Sequence, residues 1–313
     1  MKDTNDLPIL GDDEVCAVPA ATVISTIRDA IMAHERGELE SPPRARVDLP
    51  MLGDARLLFT VGGTKTAVGY RVYANGRDLA VQQLTVVHDR QSGDLLGLIQ
   101  GYEFGARRTA AIGAVAADAL ARPDAATVGL VGTGFQAMAQ LWALSAVRRV
   151  HEVRVFGRHQ QRREAFAERC RSELGLKCRA VPDARTAVEG ADLVTLSTTS
   201  ATPVIEAAWI APGAHVTTMG PKTVDEHEAP PALAERAAVI ITDSFAQLTG
   251  YGRPSWLTLA PGQLERVQML GAVISGRVPG RQADADITLF CSVGLAGSEV
   301  VLGERLLRGR NRS

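Results

Sequence analysis

The spacing of apolar positions changes period twice along the chain, and the changes mark its organisation. After Pro19, the residues Val23, Ile27, Ile31 and His34 recur at helical spacing, which predicts an amphipathic opening helix over 19–36. A proline-rich break, Ser41-Pro42-Pro43-Arg44, follows. From 56 to 100 the pattern alternates with period two, punctuated by Gly62-Gly63, Asn75-Gly76 and Ser92-Gly93, so antiparallel strands joined by turns are expected. An alanine-rich helix then runs from Ala106 to Ala121 and stops before Arg122-Pro123-Asp124, because a residue preceding proline is pushed out of the helical region.

The texture changes near 127. Val128–Val131 is a short buried-strand signal, followed by a glycine loop and a helical run from Gln136 to Val147. A second strand over Val153–Phe156 precedes a charged helix over 160–173, and further strands are expected at Lys177–Val181, Leu193–Ser197, His215–Met219 and Val239–Thr242. Strands alternating with helices imply a parallel sheet with right-handed crossovers. Residues 263–276 read as a helix through Leu264, Val267, Met269, Leu270, Val273 and Ile274. A last strand, Ile287–Cys291, and a C-terminal helix are expected to return to the first domain. The fold class is therefore α/β: a Rossmann domain over 125–285, inserted in a discontinuous α+β domain made of 1–124 and 286–313. No internal repeat or low-complexity segment interrupts this.

Bulk composition narrows the partners. With 313 residues, 46% hydrophobic and 22% charged, the chain reads as an ordinary globular protein with an ample core. A net charge of −1 gives no electrostatic reason to expect nucleic acid or an anionic membrane as partner. Four scattered cysteines without a CxxC pair argue against disulfide and zinc frameworks and fit a reducing cytoplasm. The N-terminal stretch is acidic and lacks the apolar segment of a signal peptide, and no window approaches the roughly 18 apolar residues of a membrane span.

Gly132-Thr133-Gly134-Phe135-Gln136-Ala137 stands between a predicted strand and a predicted helix, the context in which GxGxxA binds a dinucleotide. Gly132 permits the tight turn, Gly134 lets the backbone approach a pyrophosphate, and Ala137 allows close helix–strand packing. The helix N-terminus offers free N–H groups to the phosphates. At the end of the second strand an NAD enzyme usually carries an acid for the ribose 2′-OH. Here Gly157-Arg158-His159 and Arg162 stand instead, which suits the 2′-phosphate of NADPH, with NADH as the second choice. For Arg162 and Arg163 the solvated face of a helix is the more natural reading, whereas Arg158, directly after the glycine, is read as a phosphate contact.

Further stretches carry a family likeness. Pro42-Pro43-Arg44, Gly63-Thr64-Lys65, Arg107-Arg108-Thr109-Ala110-Ala111, Ser197 to Pro203, Trp209 to Gly213, and Ile287 to Phe290 with Gly294-Leu295-Ala296 resemble the ornithine cyclodeaminase/mu-crystallin family, in order, from about 14 to 303. The resemblance implies a homodimeric, NAD(P)-dependent oxidoreductase of amino or imino acids, in which hydride passes to or from the carbon beside a carboxylate. It implies that Arg44 or Arg46, together with Arg108, holds that carboxylate, with Arg56 as a further contact. A planar carboxylate suits a guanidinium bidentately. It also implies that Lys65, buried beside the arginines, exchanges a proton with the reacting nitrogen, making Lys65 and Arg108 the catalytic pair. Cofactor contacts are implied at Thr198, Thr199, Met219, Gly220, Ser292 and Gly294.

Two departures bear on the reaction. Where cyclodeaminases and alanine dehydrogenases of the family carry an aspartate after the glycine near 217–222, this chain has Lys222, and Cys291 stands where many relatives have Asp. Lys222 either joins the substrate site or turns outward to pair with Glu226 or Glu228, and Cys291 reads as a packed thiol. Asp225, Glu226 and Glu228 are candidates for a replacement carboxylate, although three acids so close suggest a solvated loop. The missing aspartate favours an imine (ketimine) reductase or amino-acid dehydrogenase over an ornithine- or lysine-type cyclodeaminase. A non-catalytic, mu-crystallin-like ligand-binding protein is a further alternative.

Overall fold

The computed structural model describes residues 7–53, 55–75 and 82–310. A two-residue strand, β1 (Ile9–Leu10), and a short helix, α1 (Asp12–Cys16), precede the expected amphipathic helix, α2 (Ala20–Glu35). Its Val23, Ile24, Ile27, Ala30 and Ile31 are buried, and Pro19 caps it without losing a needed N–H. Five further strands follow: β2 (Ala45–Asp48), β3 (Arg56–Gly63), β4 (Ala67–Asn75), β5 (Leu84–Asp89) and β6 (Leu95–Gln100). They form one sheet in the order β1-β6-β5-β4-β3-β2, antiparallel except for the β1–β6 pair.

Gly62-Gly63 is not a turn, as the alternation suggested, but the end of β3. A Cβ at Gly62 would lie 2.2 Å from the Gly297 Cα, so the glycine admits a neighbouring backbone. The turn itself is Thr64–Thr66, where Thr64 Oγ1 accepts from the N–H groups of Thr66 and Ala67. The turn expected at Asn75-Gly76 lies outside the described residues.

Helix α3 (Glu103–Leu120) leads to an alternating series: β7 (Thr127–Val131), α4 (Phe135–Leu144), β8 (Glu152–Phe156), α5 (Gln160–Leu174), β9 (Cys178–Ala180), α6 (Ala184–Val188), β10 (Leu193–Leu196), β11 (His215–Thr218), α7 (Pro231–Arg236), β12 (Val239–Thr242), α8 (Phe245–Thr249), β13 (Val267–Met269), α9 (Leu270–Ile274) and β14 (Thr288–Cys291). These eight strands form a wholly parallel sheet in the order β13-β12-β14-β11-β10-β7-β8-β9. The chain starts at β7, winds outward to β9, then crosses back to β10. That reversal beside β7 is the switch point at which doubly wound sheets bind ligands.

Two expectations are corrected in this sheet. Residues 263–276 are not one helix: β13 pairs in parallel with β12, and only Leu270–Ile274 is helical. A strand register took precedence over the helical spacing of the same apolar residues. The strand near 287–291 does not return to the first domain either. All four residues of β14 are buried between β11 and β12, as a continuous apolar run in a parallel sheet should be.

The chain divides into two compact units, one of residues up to Thr109 with those from Leu295, the other Ala110–Gly294. The boundaries therefore differ from 124/125 and 285/286. Ala117 and Ala121 pack in the core with Val128 and Leu130, so most of α3 goes with the parallel sheet, as does β14. The last helix, α10 (Ser298–Arg310), rejoins the first unit and packs on β4 and β5. Among the described residues no helix is long and apolar enough to cross a membrane.

Candidate active site

In the parallel-sheet unit, the loop after β7 has the shape a dinucleotide requires. Gly132 has φ +120°, and a Cβ there would stand 2.1 Å from the Ser197 carbonyl oxygen. Gly134 caps α4 in extended conformation, and nothing lies within 4 Å of the Cβ position it leaves empty, so the backbone is open to a ligand. Ala137 is fully buried against Val128, Leu130 and Val155. Thr133 crosses to Gly157, where a Cβ would sit 2.8 Å from its methyl group. Phe135 is exposed and Gln136 half-buried at the start of α4. Arg158, His159 and Arg162 are exposed past the end of β8. Arg163 differs from the expected solvated face: it is half-buried, lies 5.7 Å over the Phe156 ring and donates to the Gly157 carbonyl. The open backbone of this loop fits a pyrophosphate.

The C-terminal ends of β10, β11 and β14 carry the other expected cofactor residues, tied together by two carboxylates, Glu228 and Asp243. Glu228 is fully buried, not solvated. Its Oε2 accepts from Thr198 N (2.8 Å) and Thr198 Oγ1 (2.7 Å). Its Oε1 accepts from Thr218 Oγ1 (2.8 Å), Met219 N (2.8 Å) and Gly220 N. One side chain thus fixes the loops after β10 and β11, while Thr199 beside them is exposed. Asp243, at the end of β12, accepts from Val293 N (2.9 Å) and Gly294 N (2.8 Å), and Ser292 N donates to Thr218 O. Burial raises the Asp243 carboxyl pKa against the pull of those two amides.

Lys222 does not turn outward to Glu226 or Glu228. It is 2% exposed and donates from Nζ to the Gly220 carbonyl at 2.8 Å. The backbone explains this: a bridge between Lys222 and His227, and Trp256 N–H donating to Lys222 O, fold the segment inward. The ammonium acts on both Asp243 and Cys291. The two departures noted in the sequence are therefore neighbours. Burial pushes the Cys291 thiol up to about 12, so it packs and does not attack.

In the other unit an arginine cluster forms on one face of the antiparallel sheet. Arg108, in α3, is buried and its Nη2 lies 2.9 Å from Glu299 Oε1. Arg71, in β4, reaches the same carboxylate at 3.4 Å, donates to Gln83 and has its Cζ 4.3 Å from the Tyr73 ring centroid. Arg44 also approaches that ring, its Cζ 5.9 Å from the centroid. Burial first, then the Arg108 charge, brings the Arg71 guanidinium down to about 10. Burial alone would raise the Glu299 carboxyl, but Arg108 and Arg71 hold it below its ordinary value. Thr60 Oγ1 also donates to Glu299, at 3.2 Å. The Nε and Nη1 atoms of Arg108 are buried with no hydrogen-bond acceptor among the described residues. Gly105 makes the room: a Cβ there would stand 2.4 Å from Arg71 Nη2.

Several expectations need correction here. Lys65 is not buried beside the arginines; it caps the β3–β4 turn, 80% exposed, with Glu38 at 3.8 Å. The Thr64–Thr66 turn places it at the apex of the hairpin, where no sheet face covers it. Arg46 pairs with Asp48 at 2.6 Å on the exposed β2, leaving Arg44 as the one in the cluster. Arg56 is opposite Asn75 in register, one pair beyond Leu58 and Tyr73 on the same face. Sequence reading missed Arg71, Tyr73 and Glu299. The signal for Arg71 was present: in Ala67-Val68-Gly69-Tyr70-Arg71 the odd positions are buried, so the arginine points inward.

A profile of the ornithine cyclodeaminase/mu-crystallin family matches residues 16–307. The chain belongs to that family. A relative from Rhizobium meliloti is 38% identical over 184 residues, 58% of this chain, and the match spans only 56% of that relative. The Delta(1)-pyrroline-2-carboxylate reductase of Bacillus cereus is 30% identical over 230 residues, 72% of this chain and 70% of that protein. Among solved structures, the Delta(1)-pyrroline-2-carboxylate reductase of Thermococcus litoralis, in complex with NADH and L-proline, superposes with a TM-score of 0.88 over 97% of each chain at 24% identity. Within this family, the present chain combines a glycine loop fit for a dinucleotide with an inward-facing arginine cluster.

Proposed function

We propose that this chain is an NADPH-dependent imine reductase, or amino-acid dehydrogenase in the reverse direction, acting on a small α-imino or α-amino acid. The observation that carries this reading is the cluster of Arg44, Arg71 and Arg108 with Glu299 as its shared carboxylate, in a chain whose other unit holds a dinucleotide loop. Arg108 keeps two nitrogens, Nε and Nη1, without an acceptor among the described residues, and a substrate carboxylate supplies the acceptor that is missing. Arg71 and Arg44 place further positive charge beside it. Such a clamp fixes the carbon next to the carboxylate, which is what hydride transfer needs. A bound nicotinamide nucleotide supplies or accepts that hydride. The chain's own residues bind, orient and handle the proton.

The preference for NADPH rests on Arg158 and His159, exposed at the end of β8 where an acid would serve NAD. Lys222, standing where cyclodeaminases of the family carry an aspartate, disfavours a diamine substrate. Assembly as a homodimer is supported by the uncovered face of the antiparallel sheet, where Val61, Val68 and Tyr70 are exposed around a hollow of about 630 Å³. Its four free cysteines suit a reducing, cytoplasmic setting.

The test is NADPH consumption by the purified protein with 1-pyrroline-2-carboxylate, 1-piperideine-2-carboxylate, and pyruvate, glyoxylate or oxaloacetate mixed with ammonia or methylamine. Turnover with at least one imine, lost by one or more decades in Arg108→Ala with nucleotide affinity retained, is the expected result. Ammonia release from ornithine at comparable rates would replace this reading with cyclodeamination.

A further inference from the structure

Reduction of a C=N bond delivers a hydride to carbon and requires a proton on nitrogen, and the residue expected to manage that proton, Lys65, stands 80% exposed on a turn. Within the arginine cluster few groups can take its place. Arg44, Arg71 and Arg108 are guanidiniums that stay charged at neutral pH. Glu299 is 1% exposed and already receives Arg71, Arg108 and Thr60. Gln83 is an amide, with no acidic proton to give. The remaining group with an exchangeable proton is the phenol of Tyr73.

On the reading of the site proposed above, we infer that Tyr73 is the catalytic proton donor to the substrate nitrogen, and the acceptor of that proton in the oxidative direction. Tyr73 follows Arg71 by two residues in β4, so both side chains rise from the same sheet face. Two cations approach its ring, with Arg71 Cζ at 4.3 Å and Arg44 Cζ at 5.9 Å from the centroid. The residue is half-buried, and its hydroxyl has no hydrogen bond to another described residue. A phenol so placed is oriented by its ring while its oxygen stays available. The O–H bond of Tyr73 breaks as the N–H bond forms, and the electron pair remains on the phenolate oxygen. The hydride, with its own pair, becomes the new C–H bond. Water then returns a proton to the phenolate oxygen.

Tyr73→Phe keeps the ring and its stacking and removes only the oxygen. The expected outcome is a fall in kcat of about 100-fold or more, in the range positioned proton transfer supplies. KM, and calorimetric binding of the product amino acid to the protein with NADP⁺, should change by less than about threefold, because the carboxylate is held by arginines. Lys222→Met serves as the comparison, since Lys222 is the buried ammonium of the other unit. Wild-type kcat in Tyr73→Phe would overturn the inference, as would a full transfer of the loss to Lys222→Met. Equal loss of product binding and turnover in Tyr73→Phe would also overturn it, by making the residue structural. A wild-type protein that consumes no NADPH with any imine defeats the parent reading itself, and the inference falls with it.

Discussion

Replacing Glu228 by glutamine keeps the shape of the side chain and removes one of its two acceptor oxygens. In the folded protein Oε2 receives two donors from Thr198, and Oε1 receives Thr218 Oγ1, Met219 N and Gly220 N. The favoured glutamine orientation puts its oxygen where three donors converge and turns its NH2 toward Thr198. The Thr198 hydroxyl can rotate and accept from that NH2, but the Thr198 backbone N–H cannot. One orphaned buried donor costs about 1–3 kcal/mol, and the remaining bonds lose their charged acceptor, so about 2–4 kcal/mol of destabilisation is expected. The loops affected carry Thr198, Thr199, Met219 and Gly220. If about 1.4 kcal/mol of that cost is expressed in the nucleotide-bound state, NADPH binds tenfold more weakly. Urea denaturation of Glu228→Gln beside wild type reads the first quantity, and fluorescence titration with NADPH reads the second. A variant within about 0.5 kcal/mol of wild-type stability, a change ordinary for an unimportant surface site, would refute the reasoning.

Three further outcomes are expected. Arg158→Ala should weaken NADPH by about 1.5–3 kcal/mol while sparing NADH, as loss of a charge-assisted phosphate contact requires; measured nucleotide preferences that do not move would remove Arg158 from the site. His215 is fully enclosed, bonded to Thr288 and Thr217, and burial, with the Arg281 charge adding, brings its pKa down to about 3. It stays neutral in the fold while the unfolded chain takes up a proton below about 6.5, so stability falls as pH drops, by about 2 kcal/mol between pH 7 and 5. His215→Asn should flatten that dependence in urea unfolding at the two pH values, and an unchanged slope would contradict it. Lys222→Ala should alter kinetics toward dicarboxylic imines more than toward monocarboxylic ones, because an ammonium in place of the family's aspartate suits a second carboxylate; identical effects on both would show that Lys222 acts only on Asp243 and its own loop.

Much of the scaffold was legible because local rules and tertiary packing agreed. The step from Val128–Val131 through Gly132, Gly134 and Ala137 to a helix has one common use, and the loop adopts it. Where the two disagreed, the sequence misled. Leu264 to Ile274 has helical spacing, yet Val267–Met269 pairs with β12, since a parallel edge offers hydrogen bonds that spacing cannot reveal. Glu228 looked like one of three solvated acids, because nothing local shows that five donors from distant loops converge on it. Lys65 carried the family likeness through Gly63-Thr64-Lys65, but a hairpin apex exposes it. Arg71 was hidden by the habit of reading arginine as surface, although the strand alternation already turned it inward. Glu299, far along the chain in α10, could be joined to Arg71 and Arg108 only by the fold.

The most direct measurement follows the hydride itself. Wild-type protein is supplied with an imino acid and NADPH carrying deuterium at the transferable position, in separate preparations for each face of the ring, and the amino-acid product is read by mass spectrometry and NMR. Deuterium on the carbon beside the carboxylate, one atom for each NADPH oxidised and from one face only, is the predicted result. An amino acid formed without label at that carbon, or NADPH untouched by every imino acid offered, would contradict hydride transfer by this chain.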